Sequence, residues 1–301
     1  MEEILLEQPE QPINADKKKG GTASVGKIAL RVFTYVILVL GAAILVFPYL
    51  WMLLTSFKDD YEAMSLTLVL FPTDVWHVEN YKKIWTIVPL MRGVLNTLTV
   101  EVSVIVIGTF VSTLAAFSFA KLKLRAKTFW LLFLMSGMMV PYAALMMPQF
   151  RAFYALKMFD TLWPLILPGF FGNISMMFFL IQYMKGISNS FFEAAKLDGA
   201  GYMTMFLTIM FPMVKTAIAA QVIFWFIGIW NDYFAPAIYL KSDESMTLQP
   251  MMARINSNNS GGTNLPLIMA GAVLSSIPMM VIYITCQKFF IESLAISGVK
   301  G

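Results

Sequence analysis

Cysteine occurs once in this 301-residue chain, as Cys286, and histidine once, as His77. A single thiol excludes a disulfide within the chain and any multi-thiolate metal site. Cys286 lies in an apolar run and reads as a small packing residue. His77 stands beside Trp76 in a polar stretch, so a surface position is its default. One histidine and one cysteine also leave little for a membrane enzyme, which needs a clustered catalytic set. Charge is scarce as well: 13% of residues are Asp, Glu, Lys or Arg, against 58% hydrophobic. Soluble domains are nearer one quarter charged and one half apolar. The net charge of +4 is small and spread out, which gives no footprint for a nucleic-acid partner. The chain holds no G-x-x-x-x-G-K-[ST], hence no phosphate loop for ATP. Any ATP-driven process must take its hydrolysis from another subunit.

What is present is a set of long apolar runs, and about twenty apolar residues cross a bilayer. Residues 1–27 read as a flexible tail, with Glu2, Glu3, Glu7, Glu10 and Asp16 ahead of Lys17-Lys18-Lys19-Gly20-Gly21. The apolar stretch that follows is too long and starts too late for a signal peptide. Six spans are expected, at about Val32–Leu54, Val94–Ala120, Phe129–Pro148, Leu162–Met184, Thr216–Leu240 and Leu265–Ile291. Pro141, Pro168 and Pro278 are expected to kink their helices. Lys241–Asn264 reads as a polar loop with a turn-rich, mobile stretch from Asn256 to Gly262. The fold class is therefore all-α, a polytopic membrane protein.

Six spans put both termini on one side, and lysine and arginine favour the cytoplasmic side near span ends. With the N-terminus inside, the inner segments hold 14 of the 22 cations and the outer loops 8. The bias is clearest in the N-terminal tail and in Lys121-Leu122-Lys123-Leu124-Arg125-Ala126-Lys127. Both termini are expected in the cytoplasm, in a cell membrane.

On that inner side lies a polar interruption, Ser190-Phe191-Phe192-Glu193-Ala194-Ala195-Lys196-Leu197-Asp198-Gly199-Ala200-Gly201-Tyr202, continuing to Ile209-Met210-Phe211-Pro212. Ser190 and Glu193 have capping-box spacing for a helix start. Ala194 to Leu197 include good helix formers, and Gly199 can take the left-handed conformation that ends a helix. The residues from Tyr202 to Phe211 can resume helically. Small alanines let another surface approach closely, and Glu193 and Asp198 can set its register. An ordinary capped, solvated loop fits the same residues.

Glu193-Ala194-Ala195, Gly199 four residues after Ala195, then Ile209 and Pro212, resemble the EAA loop of ABC-importer permeases. The string from Glu193 to Ala200 is similar to the sugar-importing branch, and to the smaller permease of maltose-type systems. Two departures are Ser188-Asn189-Ser190, where the family often has proline, and Phe211, where leucine is usual. The resemblance covers about residues 28–301. It implies a transmembrane permease subunit of an ATP-driven importer of sugars or oligosaccharides, with alternating access. Glu193, Ala194, Ala195, Asp198, Gly199, Ala200, Ile209 and Pro212 would then couple to a separate ATPase. Implied partners are a homologous second permease or a second copy, an ATPase dimer carrying ATP and Mg, an extracytoplasmic sugar-binding protein and membrane lipid. The chain itself would hold no cofactor and no metal. By the same resemblance, the tail Gly298-Val299-Lys300-Gly301 could reach the ATPase, and the 241–264 loop the binding protein. A stand-alone secondary transporter or channel is the alternative, although no convincing inverted repeat is visible.

Ionisable groups within spans tend to mark pathways. Glu101 in the second span and Asp232 in the fifth, beside Trp230 and Asn231, each lie about eight residues from the outer end, roughly 12 Å deep at the helical rise. Both could face a shared water-filled cavity, where carboxylates and an indole suit sugar hydroxyls and ring faces. Alternatively, Asp232 and Asn231 cap a helix break and Glu101 pairs with a neighbouring helix. Trp230-Asn231-Asp232 resembles a recurrent feature of sugar permeases, whereas Glu101 has no matching counterpart. Asn173, Gln182 and Gln221 are expected to bond between helices.

Overall fold

The computed structural model describes residues 25–65, 67, 69–73, 75–258 and 263–298. The expected tail of residues 1–27 and the last three residues fall largely outside that range, as do residues 259–262. The chain divides into a unit of residues 1–50 and a unit of residues 51–301. In the first, helix α1 (Val25–Thr55) begins, already including Lys27. Its apolar side chains are exposed, Leu45 by 81%, as expected of residues whose solvent is lipid.

In the second unit, α2 (Asp60–Ala63) and α3 (Asn80–Ile87) occupy the stretch after α1. Helix α4 (Leu90–Lys121) then runs 32 residues without a proline. Next come α5 (Lys127–Gly137), α6 (Tyr142–Ala155), α7 (Trp163–Phe170) and α8 (Ile174–Lys185). The short α9 (Ser190–Leu197) and α10 (Tyr202–Thr204) lead to a π-helical stretch, Met205–Met210, and α11 (Phe211–Met213). The chain ends with α12 (Lys215–Trp230), α13 (Phe234–Tyr239), α14 (Leu248–Asn258) and α15 (Leu265–Gly298). Among the described residues, four helices are long and apolar enough to cross a membrane, and six segments if each of two bent pairs counts as one.

The spans differ from the sequence reading at several points. The third is two helices, α5 and α6, bent by 87°. Pro141 sits at that break, as the N-cap of α6, because proline disfavours helical geometry in the residue before it. The fifth stops at Trp230 and resumes at Phe234, with Asn231, Asp232 and Tyr233 between. The sixth continues to Gly298. The stretch read as a polar loop after Lys241 contains α14, whose Met251 and Ile255 are buried. That helix packs against α4 and α15.

Helix α4 is the axis of this unit, packing against α7, α8, α12 and α14. Small residues make the approach possible. A Cβ on Gly108 would lie 2.5 Å from the carbonyl oxygen of Gly169 and 2.4 Å from the Trp225 ring. Asn173, expected to bond between helices, instead caps α8 by accepting from the Met176 amide at 3.0 Å. Its own amide donates to Ser112 Oγ of α4 at 2.7 Å.

Candidate functional site

Two places gather the residues singled out above. The first is the elbow of α9. Helix α9 begins at Ser190, but no capping box forms: Asn189 is the N-cap, in helical geometry and without a side-chain cap bond. Ser190 Oγ instead meets Ser188 Oγ at 2.8 Å. Gly199 has φ +82°, the left-handed turn expected of it, and the Ala200 amide donates to the Ala195 carbonyl at 2.9 Å. Pro212 sits just after the π-helical stretch. Proline lacks an N–H and crowds the carbonyl four residues back, and a wider turn relieves that crowding.

The elbow has two faces. Phe192, Ala195 and Ala200 pack inward against a core of Phe117, Met184, Phe206 and their neighbours, and Ile209 joins them. On the other face Phe191 is 51% and Leu197 90% exposed. Ala194 lies between them at helical spacing and is exposed, with Glu193, Lys196 and Asp198 alongside. Pro212 is exposed as well. A short helix held from behind thus offers an apolar stripe edged by charges. Sequence reading marked the alanines but passed over Phe191 and Leu197, because their direction depends on which face of α9 is buried.

The second place is a cavity of about 390 Å³ bounded by α4, α6, α7 and the α12–α13 break. Its polar lining is Thr97, Tyr142, Gln149, Asp232 and Thr247, with the Phe234 ring beside them. Asp232 also caps the helix break: its Oδ1 accepts from the Phe234 amide at 3.0 Å and the Ala235 amide at 3.3 Å. Thr247 Oγ1 is buried and meets no hydrogen-bond partner among the described residues. Thr97 Oγ1 donates to the Gly93 carbonyl and accepts from the Leu248 amide.

The other path candidates lie apart from that lining. Trp230 is buried, stacked on Phe226 at 5.7 Å, and its Nε1 donates to the Ser275 carbonyl of α15 at 2.9 Å. Asn231 turns back to its own helix, donating to the Ile227 carbonyl at 2.9 Å. Glu101 is 1% exposed and is not among the lining residues. Neither of its carboxylate oxygens meets a hydrogen-bond partner among the described residues. Tyr142, Gln149 and Thr247 have no local sequence signal; packing alone brings them to Asp232.

Asp160 organises the segment after α13. Its Oδ1 accepts from the Lys241 amide at 2.7 Å, the Ser242 amide at 2.9 Å and Ser245 Oγ. Partial burial alone would push this carboxyl up, but those bonds outweigh it and hold the pKa down to about 2. Asn96 of α4 donates to the carbonyls of Glu244 and Met246, each at 2.9 Å.

The family model described as binding-protein-dependent transport system inner membrane component matches residues 108–295. The arabinooligosaccharides transport system permease protein AraQ of Halalkalibacterium halodurans is 28% identical, over 86% of this chain and 93% of that protein. The maltodextrin transport system permease protein MdxG of Bacillus subtilis is also 28% identical, over 93% of this chain and 99% of its own. A chain from the crystal structure of a bacterial ABC transporter that imports alginate superposes with a TM-score of 0.77 at 22% identity, over 89% of this chain and 98% of that one. That last likeness is one of fold.

Proposed function

Because the chain belongs to the family of inner membrane components of binding-protein-dependent transport systems, we propose that it is the permease subunit through which an ATP-driven importer admits a sugar or oligosaccharide. It is a multi-pass membrane protein and not an enzyme, and ATP hydrolysis belongs to a separate subunit. The observation that carries the coupling is the exposed stripe of Phe191, Ala194 and Leu197 on a helix whose opposite face is packed into the core. An apolar patch edged by charges fits a protein partner. That partner is an ATPase dimer holding ATP and Mg, with Glu193 and Asp198 setting the register. Gly199 and Ala200 shape the turn, and Ile209 and Pro212 seat the elbow on the spans. The cation bias supports a cytoplasmic elbow and cytoplasmic termini. A homologous second permease and an extracytoplasmic sugar-binding protein complete the assembly.

The substrate path runs past Asp232, with Gln149, Tyr142 and Thr247 as further hydroxyl partners and the Phe234 ring as an apolar platform. Few polar groups on an otherwise apolar lining suit a small polar ligand. Relatives that transport arabinooligosaccharides and maltodextrin favour a carbohydrate over other solutes, and they leave a stand-alone secondary transporter or channel without support. The test is uptake into proteoliposomes carrying the full complex, with maltodextrin and an arabino-oligosaccharide as probes. Uptake is expected only with ATP inside the ATPase compartment and the binding protein opposite. Uptake by this chain without any ATPase subunit would overturn the reading.

A further inference from the structure

Helix α4 ends at Lys121, one loop away from α9 in space but 66 residues away in sequence from Ile187. The Lys121 ammonium donates to the Ile187 carbonyl at 2.6 Å and to Asn189 Oδ1 at 2.9 Å. It also sits 5.4 Å from the centroid of the Phe192 ring. One turn back on α4, Phe117 meets the same Phe192 ring at 5.9 Å and Phe206 at 5.6 Å. The side chain at the end of α4 thus grips the segment that starts α9 and one of its inward residues.

The routes out of α9 through the backbone are broken ones. Forward, the chain passes a left-handed Gly199, a π-helical stretch and a 76° bend before α12 begins. Backward, α8 is separated from α7 by Phe171, Gly172 and Asn173, with Gly172 at φ +91°. By contrast α4 is one uninterrupted helix. Its opposite end supplies Thr97 and Val100 to the cavity wall and Asn96 to the segment after α13. From Lys121 to Thr97 is about 36 Å at the helical rise. Coupling between distant sites needs a physical element that both ends bias, and an unbroken helix tied at both ends is such an element.

We propose that Lys121 is the positioning residue through which displacement of α9 is passed to α4 and so to the cavity wall. This rests on the ATPase docking at α9 argued above. The Lys121 ammonium fixes α4 to the start of α9, so that α9 cannot tilt on its turns without drawing the long helix with it.

The experiment uses the complex of the full chain with its ATPase and second permease in nanodiscs. The native thiol is removed by Cys286→Ser, and Ala235→Cys places one thiol in the cavity lining. A membrane-impermeant maleimide reports its accessibility before and after trapping with ATP and vanadate. In the Lys121 background, trapping is expected to change the labelling rate tenfold or more. With Lys121→Met, which keeps the stem and removes the ammonium, the change is expected to fall below twofold. The ATPase should still co-purify and still trap nucleotide. Lys121→Arg is expected to restore at least half of the response on a logarithmic scale. A Lys121→Met complex that responds like its parent overturns the proposal. So does one that loses its ATPase, since Lys121 would then serve docking itself. If trapping changes nothing even with Lys121 present, the ATPase-coupling reading fails first, and that outcome is read from the parent alone.

Discussion

Gly108 of α4 and Gly169 of α7 meet so closely that a Cβ on Gly108 would stand 2.5 Å from the Gly169 carbonyl oxygen. The obstacle is backbone on one side and the Trp225 ring, 2.4 Å away, on the other. Neither can swing aside as a flexible side chain would. Gly108→Ala gains about 1 kcal/mol of helix propensity but overpacks a tight crossing at a cost of about 1–3 kcal/mol. The expected net result is a lower melting temperature in detergent, and Gly108→Leu is expected to abolish the folded fraction. A melting curve for Gly108→Ala at or above the parent's would refute this account of the crossing.

Asp160 anchors the Lys241–Ser245 segment as a carboxylate, and the three groups that donate to it favour the charged form. Its folded pKa of about 2 lies below the ordinary 3.8. The stabilisation is therefore complete above pH 4 and is lost as pH falls from about 4 towards 2. Asp160 has φ +60°, a conformation asparagine also tolerates, so Asp160→Asn keeps the backbone and removes the charge. Amide hydrogen exchange at Lys241 and Ser242 is expected to quicken about tenfold at neutral pH, equivalent to about 1.4 kcal/mol. Unchanged protection in the variant would contradict the charged anchor.

Asp232 both caps the helix break and lines the cavity. Asparagine caps a helix about as well as aspartate, and alanine costs about 1 kcal/mol at such a position. Asp232→Asn is thus expected to melt within about 0.5 kcal/mol of the parent and Asp232→Ala about 1 kcal/mol below it. Sugar uptake should fall in both variants, at least tenfold, since both lose the charge facing the cavity. Full uptake by Asp232→Asn would reduce the residue to a cap.

Leu197 is 90% exposed and makes the stripe on α9 continuous. Leu197→Asp removes apolar contact area and adds a charge beside Asp198. Membrane yield and thermal stability of the isolated chain are expected to stay at parental levels, since an exposed side chain contributes little to folding. Retention of the ATPase on affinity purification is expected to fall tenfold or more. Equal retention would place the contact elsewhere.

Much of this molecule was legible in the order of its residues. Long apolar runs satisfy their backbone in lipid as helices, so the helical class follows from composition and run length. Gly199 announced its turn because a residue without a Cβ tolerates positive φ at no steric cost. The kink expected at Pro141 is a full break of 87°, and the shallow error has a local cause: Asn189 displaced Ser190 as the cap. Which faces meet was decided only by the tertiary structure. Trp230 and Asp232 are two residues apart, yet one is locked against α15 and the other lines a cavity, because the helix ends between them. Tyr142 and Gln149 of α6 and Thr247 ahead of α14 join Asp232 from two distant segments, and Lys121 reaches Ile187 across 66 residues. Hydropathy decides which residues enter the bilayer, but in lipid it does not say which helix each one touches. That choice falls to close packing and to the pairing of a few polar atoms, and both exist only once the helices have come together.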